Sequence, residues 1–425
     1  MKIYSLATLF NVARCQTEYY KKIYKDISDV PTKLEDLPLV DIDSYWSKDP
    51  IKNENYIFTE KIKDGFIYAS SGSSGLPKYT AFSKQEWTTF SQIMGQLMWR
   101  SQIFENGDII ANLASVGDLL SSFLTVHDGL ISSIAECVEL PISISSTTPI
   151  SRIVDMCRYL KVNAIVGLSF NLMDIAYYVK ENRITDLCLT KVIYGGETMH
   201  EEQLNLIKEA FPDAIVSPCI YSSNDAGLVG FWDSTCLYNE LKSCDPYVKI
   251  EIINEQTKMP ISEPFEEGSV YVTNFTKLLM PIIRYPVGDK GMWVDNAIIN
   301  RKLTISGRLN QGEVEIRNIL FSKEKIIKEI SLVFKKFNLA RFQLDIFTEN
   351  SRDSLALRLG GYNKRKFTND DVKLVEKHLF DAFPELYALV KNSEINPIEI
   401  RFVELDEIKA NVGPGKHKQI VDNRN

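Results

Sequence analysis

Residues 164–221 read AIVGLSFNLMDIAYYVKENRITDLCLTKVIYGGETMHEEQLNLIKEAFPDAIVSPCIY. Within them AIVGLS (164–169), KVIY (191–194) and AIVSPCIY (214–221) are short apolar runs, the texture of strands buried on both faces. Between the strands, NLMDIAYYVKEN (171–182) and HEEQLNLIKEAF (200–211) space their apolar residues as helices do, and Pro212 stops the second. Strand, helix, strand, helix, strand predicts parallel βαβ units joined by right-handed crossovers. Working outward, Ile150, Ile153, Val154, Cys157 and Leu160 add a helix, while DIIANLA (108–114) and VELPISI (138–144) add strands. SKQEWTTFSQIMGQLMWRSQI (83–103) predicts a helix opened by a Ser83–Glu86 capping box. The expected class is α/β, with a large N-terminal domain built on parallel βαβ sheets.

Beyond about residue 310 the texture changes. A lysine-rich helix (323–336) precedes strands near 341–348 and 354–360. A second helix lies in FTNDDVKLVEKHLFDAF (367–383), and IEIRFVEL (398–405) is a further strand. This predicts a small C-terminal α+β domain, with boundaries at 1–310 and 311–425. A length of 425 residues, at ~150 per domain, is a prior of two or three domains.

Composition narrows the function classes. Lys and Arg number 49 against 56 Asp and Glu, a net charge of −7, so no broad basic field exists to hold a nucleic-acid backbone. Seven cysteines show no CxxC spacing and no pairing framework, which reads as reduced thiols in a cytoplasmic protein. The N-terminal MKIYSLATLFNVARC is broken by Asn11 and Arg14 and offers no small-residue cleavage site, so a signal peptide is not expected. No apolar run approaches the ~18 residues of a membrane span.

The sharpest local signal is IYASSGSSGLPK (67–78), in which serines and glycines crowd one turn after a predicted strand. Glycine lets the backbone come close, so successive N–H groups can face one anion. Hydroxyls add donors and Lys78 adds charge, which suits a triphosphate. The loop is not a Walker A motif, because Lys78 is followed by Tyr79 and a β-like KYTAFS. Taken by itself, the same stretch also reads as a Ser/Gly surface turn.

Taken with five later segments, it resembles the phosphate loop of the adenylate-forming superfamily of acyl and aryl-acid ligases. VIYGGE (192–197) resembles the adenine-pocket segment, CIYSSNDAG (219–227) the Y-G-x-x-E segment, and PIIRYPVGDKG (281–291) the ribose-binding R-Y-x-x-G-D. ISGRLNQ (305–311) resembles the G-R-x-D-D hinge, and GPGKHKQIVDNR (413–424) the C-terminal lysine segment of the phenylacetate–CoA ligase branch. The resemblance runs over roughly residues 60–425.

It implies an enzyme that lets a small carboxylic acid, aryl or heteroaryl, attack the α-phosphate of ATP, releasing pyrophosphate and leaving an acyl-adenylate. Ser70, Ser71, Gly72, Ser73, Ser74 and Gly75, closed by Lys78, would hold the outer phosphates. Gly195, Gly196, Glu197, Tyr221 and Ser222 would flank the nucleotide, and Asp225 would serve Mg2+. Asp289 would accept the two ribose hydroxyls, as an ionised carboxylate can. Arg308 would reach the nucleotide, and Lys416 would bridge carboxylate and phosphate oxygens as a mobile charge. Each has a plainer reading: Asp225 and Asp289 as turn acids, Tyr221 as packing, Arg308 and Lys416 as solvated cations.

Departures carry information too. Asp225 stands where the family has glutamate, Asn310 where it has the hinge aspartate, and Asn318 where a glycine lets the CoA arm pass, which implies weakened use of CoA. The acyl acceptor is left as CoA, a carrier-protein phosphopantetheine or an amine. An acyl-protein synthetase acylating Cys219 is a second reading, and a nucleotide-binding scaffold without chemistry a third. Cys236 and Cys244 fall where some relatives bind zinc, but with no nearby histidine they read as structural. His127, in the 116–130 segment where the branch places its acid pocket, reads as a pocket-wall residue.

Overall fold

A computed structural model of the chain describes all residues except 70–77, 118, 143, 145–147, 197, 198, 200, 238, 309–312, 318, 338, 351, 362–366, 405, 406, 409–418 and 425. The chain forms two compact units, Met1–Leu309 and Asn310–Asn425. Among the described residues no helix is long and apolar enough to cross a membrane.

The 164–221 pattern becomes a parallel five-stranded sheet, in the order Val138–Pro141, Ile109–Asn112, Ala164–Leu168, Lys191–Gly195, Ile215–Pro218. The central strand Ala164–Leu168 is buried throughout, as its unbroken apolar run requires. Helices Ile150–Tyr159, Ser169–Glu181 and Glu201–Ala210 supply the crossovers, and Ile153, Leu172, Ile175 and Ile207 lie against Ile165 and Val192 in one core. The apolar run at 214–221 behaves differently from its reading as one strand. It is two strands: Ile215–Pro218 ends the parallel sheet, and Ile220–Ser223 opens another. Pro218 has no N–H to continue the ladder, so the chain changes sheets there.

The second sheet has seven strands, all paired antiparallel, in the order Val248–Ile253, Gly268–Asn274, Tyr285–Trp293, Lys302–Arg308, Glu240–Ser243, Gly227–Phe231, Ile220–Ser223. Helix Lys84–Arg100 opens with the expected box: Ser83 Oγ accepts the Glu86 N–H, and Glu86 Oε2 accepts the Ser83 N–H. Glu86 also accepts the N–H groups of Leu278 and Leu279 at 2.5 and 2.7 Å, tying this helix to a turn nearly two hundred residues later. Ahead of both sheets, helices Leu6–Gln16 and Glu18–Ile23 and the short helix Ile42–Tyr45 bury Phe10, Tyr20, Tyr24 and Tyr45 against Tyr285 and its neighbours.

The second unit has its own core. Strands Glu399–Val403, Arg352–Gly361, Leu339–Glu349 and Ile420–Asp422 form one sheet in that order. Helices Lys323–Phe337, Asn369–Ala382 and Pro384–Lys391 bury Ile330, Val375 and Leu389 with its Phe342, Leu357 and Leu359.

Candidate nucleotide site

Strands Phe66–Ala69 and Tyr79–Phe82 pair antiparallel, with Ala69 opposite Tyr79, so they bracket the Ser/Gly stretch side by side. Ser70, Ser71, Gly72, Ser73, Ser74 and Gly75 lie outside the described residues, as do Glu197, Asn310, Asn318, Lys416 and the side chain of Arg308. Lys78, at the exit of the stretch, is described: its ammonium lies 5.8 Å above the Trp46 ring.

Three of the expected residues converge. Tyr221, on strand Ile220–Ser223, donates its hydroxyl to Asp289 Oδ2 at 2.5 Å. Asp289, on strand Tyr285–Trp293, is 7% exposed and stands opposite Arg308 of the neighbouring strand. Four strand spacings separate these two strands in sheet order. A flat sheet would hold them ~19 Å apart, so this sheet must curl strongly for one tyrosine to span the gap.

Asp225 lies two residues past the end of strand Ile220–Ser223. Its Oδ1 accepts the Ser223 hydroxyl at 2.6 Å and the Ala226 N–H at 3.0 Å, and its Oδ2 accepts the Tyr285 hydroxyl. Burial, with the Asp225 charge beside it, pushes the Tyr285 hydroxyl well above the usual phenol range, which keeps it a donor. Three of the roughly four acceptor positions of the carboxylate are therefore in use. The one remaining would suit a single contact to a Mg2+, whose other ligands would have to come from elsewhere.

The backbone of Asp225 is held as firmly as its side chain. Lys277, which is 0% exposed, donates to the Asp225 carbonyl at 2.8 Å and to Thr80 Oγ1 at 3.4 Å. Its ammonium sits 4.0 Å above the Phe82 ring. Burial pushes the amine down to about 8, against the opposing pull of Glu86 and Asp225. An amine buried without partners would be far costlier, and here the carbonyl, the hydroxyl and the aromatic face together replace water. Lys277 thus joins the strand leaving the Ser/Gly stretch to the Asp225 turn. Sequence reasoning passed over it, although a lysine inside the apolar run NFTKLLMPII was a visible signal.

The neighbouring Asn224 links two further segments. Its Nδ2 donates to the Ala69 carbonyl, and its Oδ1 accepts the Ser121 hydroxyl, both at 2.9 Å. Ser121 immediately precedes helix Ser122–Ser132, so the 116–130 segment touches the turn that carries Asp225. Farther along that helix, His127 Nδ1 pairs with Glu139 Oε2 at 2.7 Å, and Asn112 holds the other oxygen of Glu139 at 2.8 Å. The imidazole also stacks on Phe123. Across the carboxyl ends of the parallel strands, Gly196 has a φ of +81°, and a Cβ there would meet Leu168 Cδ2 at 2.6 Å. At Gly195 a Cβ would meet none of the described residues within 4 Å.

No protein-family model matches the sequence. The indoleacetate–lysine synthetase of Pseudomonas savastanoi is 22% identical over 185 residues, which cover 43% of this chain but only 42% of that protein. Among solved structures, 2-hydroxyisobutyryl-CoA ligase with 2-HIB-AMP in the postadenylation state superposes with a TM-score of 0.72 and 16% identity, covering 99% of this chain and 88% of that one. The AtGH3.15 acyl acid amido synthetase in complex with 2,4-DB superposes at 0.70 with 14% identity, over 98% and 90% of the two chains. At these identities the likeness is one of fold.

Proposed function

The chain has the fold of the adenylate-forming enzymes, and from that premise we propose that it activates a small carboxylic acid with ATP, releases pyrophosphate, and passes the acyl group to an amine or thiol. The observation that carries this reading is a double link between two elements: Tyr221 meets Asp289, while Asp225, in the turn after the Tyr221 strand, meets Tyr285 and is tied through Lys277 to the strand leaving the Ser/Gly stretch. A carboxylate and ATP repel each other, so the site has to neutralise charge before the acyl–phosphate bond forms. In this reading Asp289 holds the ribose, Lys78 and the 70–77 stretch hold the outer phosphates, and Lys416 arrives from the C-terminal unit. Mg2+ would be held by Asp225 together with phosphate oxygens, and it supplies charge neutralisation there. The acid would lie along the helix carrying Phe123 and His127, whose imidazole is oriented by Glu139.

An amine is the acceptor we favour over free CoA. Two similar proteins are named an indoleacetate–lysine synthetase and an acyl acid amido synthetase, while a third is named a CoA ligase. Asn318 in place of glycine adds a polar side chain that costs about 1–3 kcal/mol if left unpaired, a ~5- to 150-fold handicap for a pantetheine arm. The test is pyrophosphate release across aryl, heteroaryl and fatty acids, followed by a comparison of amino acids, carrier proteins and CoA as acceptors. Failure of every acid in the screen to elicit pyrophosphate release would remove the enzyme reading. Efficient CoA thioester formation, with kcat/KM above ~10⁴ M⁻¹s⁻¹, would reverse the order of acceptors.

Cys219 makes a poor acyl carrier. It is 4% exposed, and burial pushes its thiol up to about 12, so almost no thiolate forms near neutrality. Cys219→Ala is expected to keep turnover within about threefold of wild type, the scale of a small packing change. A hydroxylamine-sensitive acyl-enzyme lost in that variant would restore the acyl-protein synthetase reading.

A further inference from the structure

We infer that Trp46, from the N-terminal segment ahead of both sheets, is a positioning residue for the triphosphate end of a bound nucleoside triphosphate. The inference rests on the nucleotide reading above and extends the site beyond the segments that carried the resemblance, which begin near residue 60.

Two independent lines meet at this one indole. Its Nε1–H donates to the Tyr285 hydroxyl at 2.8 Å, and that hydroxyl donates onward to Asp225 Oδ2. Its ring face lies 5.8 Å beneath the ammonium of Lys78. In the nucleotide reading Asp225 and Lys78 are the acidic and the basic group that would face a metal-bound triphosphate, and they come from different elements of the chain. Trp46 touches Lys78 itself and the tyrosine that holds Asp225.

The geometry gives the indole two separable tasks. By filling the acceptor side of the Tyr285 oxygen, it aims the phenolic proton at Asp225, which fixes the carboxylate. By offering a π face, it gives Lys78 a resting place from which the ammonium can move to phosphate oxygens. The indole is itself held in place: Tyr45 packs edge-on to it at 5.4 Å between ring centroids, and edge-on to Tyr285 at 5.2 Å. The tyrosine-rich N-terminal helices thereby become a rigid backing for the phosphate side of the site.

The test follows tryptophan emission and steady-state kinetics in the full chain. Adding ATP and Mg2+ to the wild-type protein, without acid, is expected to change emission with a midpoint equal to the Kd from equilibrium dialysis. Trp46→Phe keeps an aromatic face but removes the donor. It is expected to abolish that change and to raise both Kd and KM for ATP about 3- to 10-fold, with KM for the acid within twofold. A residue that only packs would lower the melting temperature without separating the two KM values.

Lys78→Gln is the second variant should Trp46→Phe fail to fold. It removes the cation above the ring, so emission of the ATP-free protein is expected to shift. Unchanged ATP affinity in Trp46→Phe, or unchanged ATP-free emission in Lys78→Gln, overturns this inference and leaves the nucleotide reading standing. A wild-type protein that binds no ATP overturns both.

Discussion

Lys416→Ala is expected to slow acid-dependent exchange of pyrophosphate into ATP by two or more orders of magnitude. That is the scale of one preorganised charge removed from a developing transition state, roughly 2.7–4 kcal/mol. The loss should fall on the first half-reaction alone. Acyl transfer from a preformed adenylate, supplied to the variant with the acceptor, is expected to stay near the wild-type rate, because this reading uses the lysine charge only while the acyl–phosphate bond forms. The segment bearing this lysine continues into strand Ile420–Asp422, which pairs parallel with Leu344–Ile346 of the C-terminal sheet. Arg424 then locks the strand, gripping Asp422 through two nitrogens and reaching Asp353 at 3.0 Å. Loss of the charge at 416 should therefore leave the C-terminal core intact, which a thermal melt checks. Equal losses in the two half-reactions would sink this division of labour.

Asp289→Ala is expected to raise KM for ATP about 10- to 150-fold, the range for charge-assisted hydrogen bonds worth about 1.5–3 kcal/mol. Ribose contacts persist from ground state to transition state, so kcat should fall far less than kcat/KM. The structure adds a control. The Asp289 carboxylate also accepts the Tyr221 hydroxyl, so part of any loss could come from a tyrosine left without that acceptor. Tyr221→Phe removes the hydroxyl and keeps the ring and the carboxylate, and it should cost ATP affinity much less. An unchanged KM for ATP in Asp289→Ala, or equal effects in the two variants, would remove the ribose assignment.

Much of the fold was legible because its signals are local. The runs at 164–169 and 191–194 are strands, the patterns at 171–182 and 200–211 are helices, and the Ser83–Glu86 box opens its helix. In each case the residues that decide the element lie within one or two turns of each other, so periodicity and capping chemistry suffice. The run at 214–221 misled for the same reason: its apolar texture is continuous, and the change of sheet at Pro218 depends on which strands lie alongside.

The candidate site divides along that line. Sequence by itself determined the parallel sheet, the strands flanking the Ser/Gly stretch and the kinds of residue available to meet a nucleotide. It could not show that Tyr221 touches Asp289, because the two lie on strands well apart in sheet order and meet only when the sheet curls. Nor could it single out Lys277 or Trp46. A buried lysine is tolerable only where a carbonyl, a hydroxyl and a ring converge on it, and those come from residues 225, 80 and 82. Trp46 reaches Tyr285 across more than two hundred residues of chain. Residue type and local spacing are written along the chain, whereas the partners that make a charge affordable or aim a hydroxyl are chosen by packing in three dimensions.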